Sequence, residues 1–325
     1  MCIRDRINVP SRLDIDKLEK AVNALVEHHD AFRLRYNASD SNNTQYYSNL
    51  LDNPSLKLLD IRTLSSEDEL STVLTSWQDN YDLSSGPLHS IGYIYGYNDG
   101  SARIFFAFHH LIVDTVSWRI LLEDLRELYY KVDTAQAVEQ KGAATAFTLG
   151  TKGTSYRQWV SAVTAYADTH KNEKSYWDNV VSDINKSNNT LRKLLTSHTS
   201  CSSLSLDKEL TSKLLVESSR VYNTEVNDLL LAALSLTLSE VLNNTVNHIT
   251  LEGHGREEDA VSSNEGYLDI SRTVGWFTTM YPVRLEVGRD NKGKVELAST
   301  IKYTKELLRQ VPNKGIGFGP IIGYK

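Results

Sequence analysis

Two apolar runs, Leu88–Tyr97 and Arg103–Phe108, flank the turn tripeptide Asn98-Asp99-Gly100 and read as a β-hairpin. The second run passes directly into His109-His110. From about Ser117 a helical pattern follows, with Leu121, Leu122, Leu125 and Leu128 on one stripe. The same alternation of periods recurs on both sides. Asp16 with Glu19 reads as a capping box, followed by Leu18, Val22, Leu25, Val26 and His29 at helical spacing. Phe32–Tyr36 alternates like a half-buried strand, and Asn37–Asn43 reads as a loop. A second helix spans Ser66–Asn80, opened by Ser66 with Glu69, before the break at Ser84-Ser85-Gly86-Pro87. Asp133–Gly153 loses periodicity and reads as a flexible crossing; a helix resumes over Ser155–Trp177. Beyond a Ser/Asn-rich linker, Ser182–Asn189, come a strongly apolar helix Thr224–Val241 and the strand Val246–Glu252. A strand Val283–Val287, a helix Val295–Arg309 and a Gly-rich tail complete the pattern. Helices and strands mixed throughout mean α/β or α+β layers, and exclude a bundle or a sandwich.

Composition narrows the function classes. At 325 residues the chain has room for roughly two domains. Apolar residues at 40% and charged residues at 23% mark a globular chain that buries a core. With 35 basic and 41 acidic residues the net charge is -6, which speaks against a nucleic-acid partner. Two cysteines, Cys2 and Cys201, exclude a disulfide framework and a Cys-rich zinc site. The longest comparable apolar stretch, Ile104–Val113, is about ten residues, far short of a membrane span. Met1–Arg6 has no signal-peptide character, so a cytoplasmic, reducing location is expected.

Three segments can carry chemistry. The first is His109-His110-Leu111-Ile112-Val113-Asp114-Thr115-Val116-Ser117-Trp118, where a strand ends in two histidines, turns and enters a helix. Neighbouring strand residues face opposite ways, so one imidazole of the pair enters a given cleft. Asp114 is placed to fold back across the turn and pin the backbone or a nearby arginine. The second segment is Glu252-Gly253-His254-Gly255-Arg256-Glu257, whose glycines imply tight turning or a close approach. The third, Arg272–Val283, reads mostly as a buried strand with aromatic packing. His28-His29-Asp30 is a further histidine cluster but lies at a helix end and reads as structural. The G-x-S-x-G elbow, the P-loop, the dinucleotide fingerprint and the H-E-x-x-H helix are all missing from the sequence. Gly315–Gly319 follows a helix and makes a poor phosphate cradle.

Taken together, HHLIVDTVSW, EGHGRE and RTVGWFTTMYP resemble the signatures of nonribosomal peptide synthetase epimerization domains, within the condensation-domain superfamily. Weaker echoes at Val26–Tyr36, Tyr81–Leu88 and Tyr222–Leu231 extend the resemblance over nearly the whole chain. Thr115 stands where the family commonly has glycine. The family's opening helix and closing segment have no counterpart here, so the resemblance implies a fragment lacking both edges, with Met1–Arg6 matching nothing. The implied fold is two chloramphenicol-acetyltransferase-like halves in a V, residues 1–190 and 191–325, divided near Ser182–Ser202.

The implied reaction inverts the α-carbon of an aminoacyl or peptidyl thioester on the phosphopantetheine arm of a carrier protein. By the motif match, His110 and Glu252 are the two acid/base groups, with His109, Asp114, Ser117, His254 and Arg256 in support. An imidazole near neutrality and a carboxylate raised by burial both exchange protons at pH 7. Backbone N–H groups near Ser117, or protonated His110, are candidate donors to the thioester oxygen. Asp114 is assigned to structure, and Trp118 and Trp276 to packing. The reaction implies no metal and no cofactor of the protein's own. The implied partners are the carrier protein and adjacent adenylation and condensation domains, with neither nucleic acid nor membrane. Two alternatives stand beside it: a condensing acyltransferase and a non-catalytic carrier-docking module.

Overall fold

The computed structural model describes residues 2–9, 13–37, 44–49, 56–139, 148–186, 202–262 and 266–323. The chain divides into two compact units. One comprises Met1–Ala162 with Ser262–Thr278, the other Val163–Val261 with Thr279–Lys325. A single cut at residue 190 does not reproduce this division, and most of the expected linker region, 187–201, lies outside the described residues. The physical reason is the return of 262–278 to the first unit, where hydrogen bonds to Asp114, Ser117, Thr154 and Tyr156 hold it.

The first unit is built on a four-stranded sheet in the order β1-β6-β5-β4, from β1 (Cys2–Val9), β4 (Lys57–Asp60), β5 (His89–Tyr95) and β6 (Ala102–His109). β4 and β5 run parallel and the other pairs antiparallel. Residues 2–6 pair along β6 from His109 to Phe105. The central strands β5 and β6 are buried at almost every position because both faces are covered. Ile104, Phe106 and Phe108 pack with Leu18, Val22, Leu25 and Leu121 of α1 (Ile15–His28) and α3 (Thr115–Glu139). Phe105 and Ala107, one residue out of phase, pack with Leu70 and Leu74 of α2 (Glu67–Ser76) on the other face. Each fully buried side chain of this kind contributes about 1.5–3 kcal/mol.

Local chemistry sets the boundaries. Ser66 and Glu69 cap α2 as the sequence predicts: Ser66 Oγ accepts from Glu69 N–H and the Glu69 carboxylate from Ser65 N–H. α1 instead starts two residues early, because Asp14 Oδ1 accepts from Lys17 N–H at 3.0 Å. Asp30–Arg33 is a 3-10 turn closed by an Arg33–Asp30 ion pair, so the strand expected from Phe32 begins only at Leu34, in β2 (Leu34–Asn37). β2 pairs with β3 (Thr44–Tyr47); the rest of the expected loop, 38–43, lies outside the described residues. α3 continues to Glu139 through the start of the expected crossing, while 140–147 is outside the described residues.

The helix expected over Ser155–Trp177 is two helices, α4 (Tyr156–Thr169) and α5 (Lys174–Lys186). The 3-10 turn between them places Glu173, which is buried, where its carboxylate accepts from Tyr166 Oη and Trp177 Nε1. In the second unit short helical turns lie between Lys208 and Tyr222. They precede α6 (Val226–Leu242), β7 (Val246–Gly253), β8 (Thr279–Glu286) and α7 (Leu297–Gln310). β7 and β8 pair antiparallel, with Glu252 opposite Met280. One face of this ribbon, with Ile249, Leu251, Val283 and Leu285, packs on Leu231 and Leu238 of α6 and Leu307 and Leu308 of α7. The alternate positions, Thr250 and Glu252 among them, fall on the other face. Among the described residues no helix is long and apolar enough to cross a membrane.

Candidate active site

In the first unit, His109 closes β6 and His110 opens a 3-10 turn, His110–Ile112. His110 Nδ1 lies 3.2 Å from the Val113 carbonyl oxygen. A carbonyl only accepts, so Nδ1 carries the proton, and the Nε2 of the neutral ring is left as the acceptor. That is the tautomer a general base needs. The His110 ring packs against Trp276, centroid to centroid 5.0 Å. His109 has a different role, since its Nδ1 accepts from Leu111 N–H at 3.3 Å and caps the turn. Burial, with the neighbouring His110 adding to it, holds His109 below the usual imidazole range, so its ring nitrogen stays available to accept.

Asp114, 3% exposed, pins backbone on both sides. Its Oδ1 accepts from Ser117 N–H at 2.7 Å, which caps α3, and its Oδ2 from Phe277 N–H at 3.3 Å. Thr115 begins the helix and needs no left-handed backbone to do so. Ser117, fully buried, donates through Oγ to the Gly275 carbonyl at 3.0 Å and accepts from Gly275 N–H at 3.1 Å. Ser117 N–H is thereby committed to Asp114, which removes that group from the candidate donors to a thioester oxygen.

Of the buried strand that the sequence suggests over Arg272–Val283, only the part from Thr279 is strand, in β8; the segment 268–278 is irregular. Its backbone groups pair with side chains and loops in place of a ladder. Besides Gly275 and Phe277, the Asp269 carbonyl accepts from Thr154 N–H and the Trp276 carbonyl from Tyr156 Oη at 2.7 Å. Gly275 has to be glycine, since an added Cβ would meet the Tyr156 ring at 2.5 Å. Arg272 pairs with Glu123 and Asp124, and Asp124 Oδ2 lies 2.9 Å from Nε2 of the buried His29. His29 thus takes a packing role, as the sequence suggests for the His28-His29-Asp30 cluster. Trp118 packs on Phe108 and Phe106.

In the second unit Glu252 sits near the end of β7 with its side chain exposed. This corrects the expectation of a buried carboxylate, because alternation on the ribbon sends Glu252 away from the face that α6 and α7 cover. Gly255 turns the chain at φ +68°. His254 Nδ1 accepts from Arg256 N–H at 3.0 Å, and its Nε2 lies 3.2 Å from Glu257. Glu257 also pairs with Lys314 at 3.1 Å. His254 and Arg256 therefore shape the loop that follows Glu252. Among the described residues no group of three or more His, Cys, Asp and Glu is arranged to hold a metal ion. Tyr36 and Tyr156, which grip the backbone at Leu111 and Trp276, were not singled out by the sequence; tyrosines in apolar stretches carry no signal of which carbonyl they will reach.

The condensation-domain family model matches residues 6–324. A stretch of the N-(5-amino-5-carboxypentanoyl)-L-cysteinyl-D-valine synthase of Amycolatopsis lactamdurans is 40% identical over 311 residues, covering 96% of this chain and 8% of that protein. Bacitracin synthase 3 of Bacillus licheniformis is 36% identical over 309 residues, covering 93% of this chain and 4% of that protein. The chain thus spans less than a tenth of the length of these relatives. Among solved structures, the epimerization domain from the third module of tyrocidine synthetase B superposes with a TM-score of 0.77 at 30% identity, over 98% of this chain and 70% of that one. The first condensation domain of the calcium-dependent antibiotic synthetase, with a TM-score of 0.70 at 16% identity over 98% of this chain and 70% of that one, shares the fold. The expected mixed α/β fold, of chloramphenicol-acetyltransferase type, is the one these structures have. By sequence along nearly its whole length and by fold, the chain belongs to the condensation-domain family.

Proposed function

We propose that this domain inverts the α-carbon of an aminoacyl or peptidyl thioester carried on the phosphopantetheine arm of a carrier protein. The observation that carries this reading is the 30% identity to a solved epimerization domain, against 16% to the solved condensation domain of the same fold. The relative from Amycolatopsis lactamdurans is named for a product containing D-valine, which is in keeping with it. Inversion requires removal of a proton next to the thioester carbonyl and return of one to the opposite face. His110, with Nδ1 held by Val113, offers Nε2 as one group. Glu252, exposed on its own unit, is the other. The thioester acidifies the α-proton, so the reaction needs neither metal nor organic cofactor. Carrier, adenylation and condensation domains are the proposed partners.

A condensation-type acyltransferase is the second reading, favoured by the family match itself. One experiment separates the two. A carrier protein loaded with an aminoacyl thioester is incubated with the domain in deuterated water, and label at Cα is followed by mass spectrometry. Positioned acid/base groups contribute about 10²–10⁴-fold each. The expected result is rapid label incorporation that falls at least about 100-fold in His110→Ala and in Glu252→Gln. Amide formation with an added amine and no label at Cα would overturn the epimerase reading.

A further inference from the structure

We propose that Tyr36 and His109 together brace the backbone of Leu111, and that this brace positions His110. Resting on the epimerase reading for its kinetic consequence, the inference makes both positioning residues for the proton transfer. Both polar groups of the Leu111 residue are gripped by side chains from different strands of the first unit. Tyr36 Oη, from β2, donates to the Leu111 carbonyl at 2.7 Å. His109 Nδ1, from β6, accepts from Leu111 N–H at 3.3 Å. Leu111 is the residue next to His110, and the turn also carries Val113, whose carbonyl fixes the His110 tautomer. A three-residue turn makes few hydrogen bonds of its own; Val113 N–H to the His110 carbonyl is long, at 3.4 Å. The side chains supply what the backbone lacks.

Tyr36 is itself held: its hydroxyl accepts from Gln45 Nε2 of β3 at 2.8 Å. Burial strongly raises its phenol from the ordinary value, so it remains a donor throughout the working pH range. Its distance from His110 is bridged by one peptide, so small losses at Tyr36 reach the imidazole as a displacement, and a displacement of about 1 Å can cost roughly 100-fold in rate.

Tyr36→Phe removes the hydroxyl and keeps the ring. It should lower kcat for α-proton exchange about tenfold with KM within twofold, and accelerate hydrogen exchange of the Leu111 amide by about tenfold or more. His109→Leu should do the same. His109→Asn should restore both, since an Asn side-chain oxygen accepts from the N–H two residues on. Leu111 exchange unchanged in Tyr36→Phe and His109→Leu overturns the brace whatever activity does, as does a His109→Asn variant no better than His109→Leu. If Tyr36→Phe fails to fold, the His109 pair decides alone. Wild-type protein that exchanges no α-proton overturns the epimerase reading, while the amide-exchange comparison still decides the brace.

Discussion

The turn after β6 and the loop after β7 both carry a histidine-bearing motif, and they are built in opposite ways. Around the first, Asp114 and Ser117 are buried, and their side chains hydrogen-bond to backbone 158 or more residues away. Around the second, the His254 side chain is 53% exposed and its links are local: Arg256 N–H and Glu257. A buried polar group left without a partner costs about 1–3 kcal/mol, whereas an exposed ion pair contributes about 0–1 kcal/mol. The first motif therefore bears on the stability of the fold. The second can vary its geometry at little cost to the fold.

The largest effect that tests this contrast is at Asp114. Asp114→Ala removes the cap of α3 and the bond to Phe277 N–H, and should destabilise the first unit by about 3 kcal/mol. Urea unfolding followed by fluorescence measures it; a loss below about 1 kcal/mol would mean the buried carboxylate does not pin the two segments.

Next comes acid. His89, 1% exposed beside Phe32, has its imidazole pushed down to about 3 by burial, with the Arg35 charge adding to it. The unfolded imidazole titrates near 6.5, so the folded form binds fewer protons below that pH. Its contribution is complete above about 6.5 and falls as pH drops toward 3, by about 1.4 kcal/mol per unit. Between pH 7 and pH 5 the loss from this group should reach about 2 kcal/mol. His89→Leu should flatten that part of the stability profile, and an undiminished slope in the variant would assign the acid sensitivity elsewhere.

Ser117→Ala strands the Gly275 N–H and carbonyl together, for an expected loss of about 1–2 kcal/mol in the same unfolding assay. Smallest of all is His254→Ala. Its exposed contacts predict a change within about 0.5 kcal/mol. If it destabilises as much as Ser117→Ala does, the two motifs are not built differently and the comparison fails.

Much of this was legible in residue order because local rules decided it. The β5–β6 hairpin, the Ser66 cap and the apolar stripes of α1 and α6 follow from turn chemistry and periodicity that a few neighbours fix. The split of the Ser155–Trp177 helix was not legible, because it depends on where the buried Glu173 carboxylate finds Tyr166 and Trp177. Nor was the irregular course of 268–278, since an aromatic run that looks like a strand becomes one only if a neighbouring strand offers a ladder. Here Ser117, Asp114, Thr154 and Tyr156 satisfy its backbone first.

At the candidate site the same line can be drawn. The order of residues by itself determined that a strand would run into the two histidines, that Asp114 would fold back across the turn to pin backbone, and that the glycines beside His254 would let the chain turn tightly. Each depends on contacts within a few residues. Only the tertiary structure decided which histidine caps and which presents a free Nε2, because that choice turns on the Leu111 amide and the Val113 carbonyl. It alone decided that Trp276 rests on His110 and that Glu252 is exposed rather than buried. Burial and long-range hydrogen bonds depend on which surfaces meet, and that is settled when the layers pack, not along the chain.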